Sequence, residues 1–155
     1  MSLPKSYRIL QAVKARAAVI RKDAGYLTDI GQTIFLDSRE PNISEMPCLM
    51  IFRSARTVSE SKGQRQSCAM PISIIGYASL GGLDAEAIGA NILADIQRAM
   101  EIEDADLDRL LLGSQGGLVF QGDDTIVPDS GVDAVAGEVQ YDAPHIRKRG
   151  DPEIE

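Results

Sequence analysis

Residues 66–100 read as a strand, a double-glycine break and a helix, and any fold containing that unit must give the helix a sheet to cover. Cys68 to Tyr77 is dense in apolar and β-branched residues, the composition of a mostly buried strand. Pro71 lies inside it with no amide to donate, so an edge or a bulge is expected there. Gly81 and Gly82 then turn the chain, and Asp84 is placed to cap the next helix. Ile88, Ile92, Ile96 and Met100 recur every four residues, with Ala85 and Ala99 widening the stripe. That stripe is expected to bury one face of the helix against the sheet.

The 155 residues, 44% hydrophobic, suffice for one domain with a sizeable core. With 5% aromatic residues and no Trp, aliphatic side chains and alanine must fill it. Pro4 to Lys22 reads as a first amphipathic helix, with Tyr7, Leu10, Val13, Ala17 and Ile20 on its stripe and basic residues towards its end. Gln32 to Leu36 reads as a short strand, and Asp37 to Met46 as a turn-rich segment. Pro47 to Val58 starts apolar and then alternates, as a strand would on leaving the core to form one arm of a hairpin. Ser59 to Gln66 is its polar tip, and the strand from Cys68 is the returning arm.

Beyond the second helix, Asp106 to Leu112 reads as a helical turn and Leu118 to Gln121 as a strand. Gly122-Asp123-Asp124 reads as a turn or bulge, and Val132 to Tyr141 as a final alternating strand. The expected fold is therefore α+β, in the order α-β-β-β-α-β-β. Two main helices pack on one face of a mostly antiparallel sheet from which a β-hairpin projects. Residues 1–142 form a single domain, and the charged segment 143–155, with Pro144 and Pro152, is expected to be a flexible tail.

The net charge of −7 is unevenly spread, with 12 basic and 9 acidic residues through Met100 but 4 and 14 after it. An acidic C-terminal third argues against a general phosphate-binding surface. No apolar run approaches the ~20 residues needed to span a bilayer, and the N-terminus lacks a signal-peptide core. A cytoplasmic product with no membrane partner is therefore expected. Cys48 and Cys68 fall in apolar strand contexts, where a thiol behaves as a small buried hydrophobe; a disulfide requires their strands to pair in a suitable register. The two cysteines and His145 lack zinc-ligand spacing.

The familiar catalytic and binding motifs fail one by one. Gly76 to Leu83 has the glycine spacing of a phosphate-binding loop, but Gly82 and Leu83 stand where Lys and Ser or Thr are needed. A Ser-His-Asp triad would need His145, in the expected tail. Asp104, Asp106 and Asp108 begin like a calcium loop, but the required Gly and distant Glu do not follow. No catalytic residue, metal site or cofactor is therefore expected. One cluster remains, Arg53, Arg56, Lys62 and Arg65 on the hairpin, against Glu60 alone. It reads either as a charged edge that discourages aggregation or as a docking arm for an acidic partner.

The order of elements resembles the tail terminator, or tail completion, proteins of long-tailed bacteriophages and prophages. The resemblance is carried by the amphipathic N-terminal helix, the hairpin arms around SARTVSESKGQRQS, the strand ISIIGYAS, the helix LDAEAIGANILADIQRAM and the paired-strand ending. It spans about Tyr7 to Tyr141. It implies a structural, non-enzymatic protein of the virion tail, present in the host cytoplasm during assembly. Such proteins form a homo-oligomeric ring, typically hexameric, that caps the tail tube protein, ends polymerisation and offers a surface to the head-tail joining protein. DNA passes through that ring without specific binding, so the resemblance also implies a channel that is not basic. Asp123, Asp124, Asp129 and Asp133 are the candidates for its lining. The rival expectation is a small ligand-binding or enzymatic α+β domain whose polar site no motif reveals.

Overall fold

In the computed structural model, which describes residues 3–102, 107, 109–111, 117–127 and 131–150, the strand through Ile74 is longer than its apolar stretch. It runs from Arg65 to Ser79 and, counting in chain order, is β4. Before it come α1 (Lys5–Ala17), β1 (Ile34–Phe35), β2 (Cys48–Arg53) and β3 (Thr57–Lys62). After it come α2 (Ala85–Met100), β5 (Val119–Ile126) and β6 (Ala134–Lys148). The sheet order is β1-β2-β4-β6-β5, with β3 pairing the first half of β4 where β2 leaves off. The short β1–β2 pair is parallel and every other pair is antiparallel. This is the expected α+β architecture, with one strand more than expected.

Pro71 explains the extra strand. Residues 47–58 were expected to form one continuous strand, but β2 ends at Arg53, opposite Ile72, and β3 starts at Thr57, opposite Ala69. A strand residue points its N–H and C=O to the same side. The Pro71 carbonyl accepts from the Ser54 amide at 2.9 Å, so its missing N–H also faces the break. The ladder is interrupted where no donor exists.

Both helices cover one face. Ile9, Leu10, Val13 and Ala17 of α1 and Ile92, Ile96, Ala99 and Met100 of α2 share a core with Leu49, Ile51, Ile72, Ile74, Val139 and Tyr141. Asp84 caps α2 by accepting from the Glu86 amide at 3.1 Å. The helix comes close to the sheet because Gly76 and Gly137, directly paired on β4 and β6, leave a bare spot beneath Ile92. A Cβ at Gly76 would lie 2.6 Å from Ile92 Cγ2, and one at Gly89 of α2 would lie 2.6 Å from Thr125 Cγ2 on β5. α1 is shorter than expected, stopping at Ala17, and Tyr7 is 40% exposed instead of on the buried stripe. Ile20 is buried even so, because the chain turns back under the helix end.

Strand β6 corrects the expected tail. It continues through Ala143 to Lys148, paired with β4 throughout, with Ala143 and His145 fully buried. Pro144 is tolerated because β5 stops opposite Asp142 and leaves that side of β6 open. Of the turn or bulge expected at Gly122 to Asp124, the bulge is what forms, one residue earlier at Gln121, and the segment lies within β5. The cysteines are free and lie on opposite faces of the sheet. Of the helical turn expected at 106–112, Leu107 and Leu111 are buried; 106, 108 and 112 lie outside the described residues.

Candidate functional site

The hairpin tip was expected to span Ser59 to Gln66, but the ladder persists up to Lys62 and Arg65, and Gly63-Gln64 alone makes the turn. Gly63 has φ +58°, the left-handed backbone that tight hairpin turns require. The other side of β4 is held by β6, with Arg65 opposite Lys148 and Gln66 opposite Arg147. The Arg149 amide closes the end by donating to the Gln64 carbonyl at 2.7 Å. The arm is therefore three-stranded, and the missing third strand is the segment expected to be a tail.

Direct pairing puts Lys62, Arg65 and Lys148 in a row on one face. Alternation along β6 decides which face. Val139, Tyr141, Ala143 and His145 point into the core, so Lys148 lies on the opposite side with Glu138, Gln140 and Asp142. That open face carries a small second core of Cys48, Met50, Ile75, Tyr77 and Ala136 near β1 and β2. Like charges in direct cross-strand register repel. Glu60, 3.2 Å from Lys62 Nζ, is the carboxylate within ion-pair distance of the row among the described residues.

Arg53 and Arg56 do not join this row. Arg53 ends β2, opposite Ile72 and away from the tip. Arg56 is half-buried and its guanidinium lies 3.3 Å from His145 Nε2. His145 Nδ1 is 2.9 Å from the Ala143 carbonyl. This is the pattern of the neutral ring with its proton on Nδ1, donating to Ala143 and accepting from Arg56. Burial pushes the His145 pKa below its ordinary value, and Arg56, Lys5 and Arg147 act in the same direction. Lys5, from the first turn of α1, donates to the Ile146 carbonyl at 3.1 Å. The root of the arm is thereby fixed to the body, and Arg56 is part of that fixing.

The four aspartates proposed as a channel lining are not one patch. Asp123 points to the helix side, accepting from Gln97 Nε2 at 2.6 Å. Asp133 accepts from the Gly81 amide at 3.2 Å and steadies the turn before α2. Asp129 lies outside the described residues. Asp124 alone of the three described faces the open side, directly opposite Glu138 of β6. That pair is a second row of like charge on the same face as the basic row. A shallow groove of about 210 Å³ runs beside it, lined by Gly122, Asp123, Asp124, Glu138 and Gln140.

Two further grooves lined by described residues measure about 250 and 270 Å³. The first lies over Ser73 and Gln140, the second between Leu27, Leu83 and Ile88. All three are smaller than the ~300–1,000 Å³ usual for small-molecule sites. The carboxylate with a marked pKa shift, Glu45, lines none of them; Arg39 and the Asn42 amide hold it down at about 2. Among the described residues no group of three or more His, Cys, Asp or Glu is placed to hold a metal ion. No helix of the described residues is long and apolar enough to cross a membrane.

Sequence reasoning found Lys62 and Arg65 but missed Arg147, Lys148 and Glu138. The available signal was the apolar-polar alternation from Glu138 to Ala143, which carries the strand past Tyr141. No protein-family model matches the chain, and no curated protein matches it significantly.

Proposed function

We propose that this chain is a structural tail terminator of a long-tailed phage or prophage, acting in the virion tail after assembly in the host cytoplasm. Copies form a ring, hexameric in the related reading, on the end of the tail tube, stop its growth and present the surface that the head-joining protein meets. DNA passes through without specific binding. The role is one of assembly and not of catalysis.

The observation that carries this reading is the three-stranded arm. It is anchored through Lys5, Arg56 and His145 and presents a basic row, Lys62, Arg65 and Lys148, with Glu60 the one carboxylate paired to it among the described residues. A row of repelling cations on an ordered arm gains most from a partner that supplies the opposite charge. The rival reading, a small ligand-binding or enzymatic domain, has among the described residues these small open grooves to draw on.

The test is capping. Wild-type protein added to polymerising tail tubes should give tails of uniform length. The double variant Lys62→Glu/Arg65→Glu should melt close to wild type, since exposed charges contribute little to folding, yet leave tails of uncontrolled length. Arg56 is kept in this variant because its contact with His145 belongs to the fold. If wild-type protein leaves tube length uncontrolled, the proposed role is wrong.

A further inference from the structure

Apart from the Glu60–Lys62 pair, two features of the surface are left unmatched among the described residues of one chain. The open face carries rows of opposite sign, Lys62, Arg65 and Lys148 at the arm and Asp124 with Glu138 on β5 and β6. Ten residues of β6 separate Glu138 from Lys148, about 33 Å of strand, so the rows cannot neutralise one another. Strand β5 is also a sheet edge with apolar ends: Phe120 is 46% exposed and Val127, just past Ile126, is 66% exposed. The bulge at Gln121 and the charges of Asp123 and Asp124 blunt its middle, and its apolar ends stay exposed.

We infer that the basic row of one copy docks against the Asp124–Glu138 row and the bare β5 edge of the next copy, head to tail. The inference rests on the ring reading above and names the contact that would build it. The complementarity lies between two different patches of the same chain. A contact of that kind leaves each copy with one patch free, so it propagates until rotation closes it into a ring. A two-fold stack of open face on open face would pair the charges too, but it would leave the β5 edge bare. The strand directions also suit a head-to-tail contact. Across β3, β4, β6 and β5 each strand reverses its neighbour. With copies in one orientation, staggered along the strands by about the 33 Å that separates the rows, β3 of one therefore meets β5 of the next antiparallel.

The test is a charge swap. Lys62→Glu/Arg65→Glu makes both patches acidic, and Asp124→Lys/Glu138→Lys makes both basic. Each variant alone should associate at least about tenfold more weakly than wild type, read by sedimentation velocity in solution and by crosslinking on tail tubes. An equimolar mixture should restore the ring, because every junction between unlike variants is then attractive. Asp124→Lys alone serves as the second acidic-row variant should the loss of Glu138, which accepts from Gln140, disturb folding. The wild-type ring should weaken as salt rises.

A mixture that stays dissociated, a variant that associates as well as wild type, an assembly that stops at a dimer, or a wild-type chain monomeric both in solution and on tubes would each overturn the inference. If wild type caps tubes but mixing restores nothing, the contact is wrong and the terminator reading stands. If mixing restores a ring that caps nothing, the contact stands and the terminator reading fails.

Discussion

Asp95 of α2 is buried, and all three of its bonds go to the connector that follows α1. It accepts from the Leu27 amide at 3.0 Å and from the Thr28 amide and hydroxyl at 2.7 and 2.6 Å. One turn on, Arg98 donates to the Gly25 carbonyl at 2.7 Å and lies over the Tyr26 ring. Asp95→Ala would orphan buried donors and should cost about 3 kcal/mol by denaturant unfolding, with Asp95→Asn costing less. Nothing in the sequence marks Asp95, because a carboxylate on a helix reads as solvated until its tertiary partner is known. His145 was hidden differently, its neighbours Pro144 and Arg147 suggesting a tail. Burial keeps it neutral in the fold, whereas the unfolded chain takes up a proton below its ordinary value near 6.5. The stability this residue confers is therefore present above that value and drains away as pH falls towards the depressed folded value. Wild type should lose more melting temperature between about pH 7 and pH 5 than His145→Gln does. Equal losses would show that the ring carries no such linkage.

At the scale of elements, the strand-glycine-helix unit at 66–100 was legible because its periodicity is local. The arm was legible only in part, since two of its strands are neighbours in sequence while the third returns from beyond β5. Pro71 was expected at an edge or a bulge, but β4 is an inner strand that runs through it without a bulge, and the break falls between its neighbours β2 and β3. The turn-rich segment between β1 and β2 also has more order than its composition promised. Asn42 and Glu45 form a reciprocal cap around a short helical turn, and Arg39 grips Glu45 through two bonds of 2.9 and 2.7 Å. Arg39 also lies 4.7 Å over the Phe35 ring, which packs on the second core. Glu45 is held at about 2 against an ordinary 4.5. This segment should therefore hold its place above about pH 4.5 and loosen as pH falls towards 2, whereas Glu45→Gln should be loose at every pH. Amide exchange of residues 42–46 in the two proteins checks this.

For the molecule as a whole, fold class was readable because two helical stripes and several alternating strands demand one sheet with one covered face. The surface was less readable. Which charges stand together depends on cross-strand register, and register depends on every bulge and break between them. Asp123 and Asp124 are neighbours in sequence yet face opposite sides of the sheet, while Arg65 and Lys148 are 83 positions apart and directly opposed. One property of the arm follows from that same register. Its three strands are bonded side by side, so none can lengthen without the other two. An odd insertion in any of them would also send every later side chain to the wrong face unless a bulge absorbed it, as one between Val58 and Glu60 absorbs Ser59 of β3. Without a further bulge, the reach of the arm is thus a discrete quantity, adjustable in steps of two residues per strand made in all three together. Chains sharing this fold should vary in arm length by such steps, or by single residues only where a bulge takes up the extra one, which makes the arm a ruler with fixed graduations.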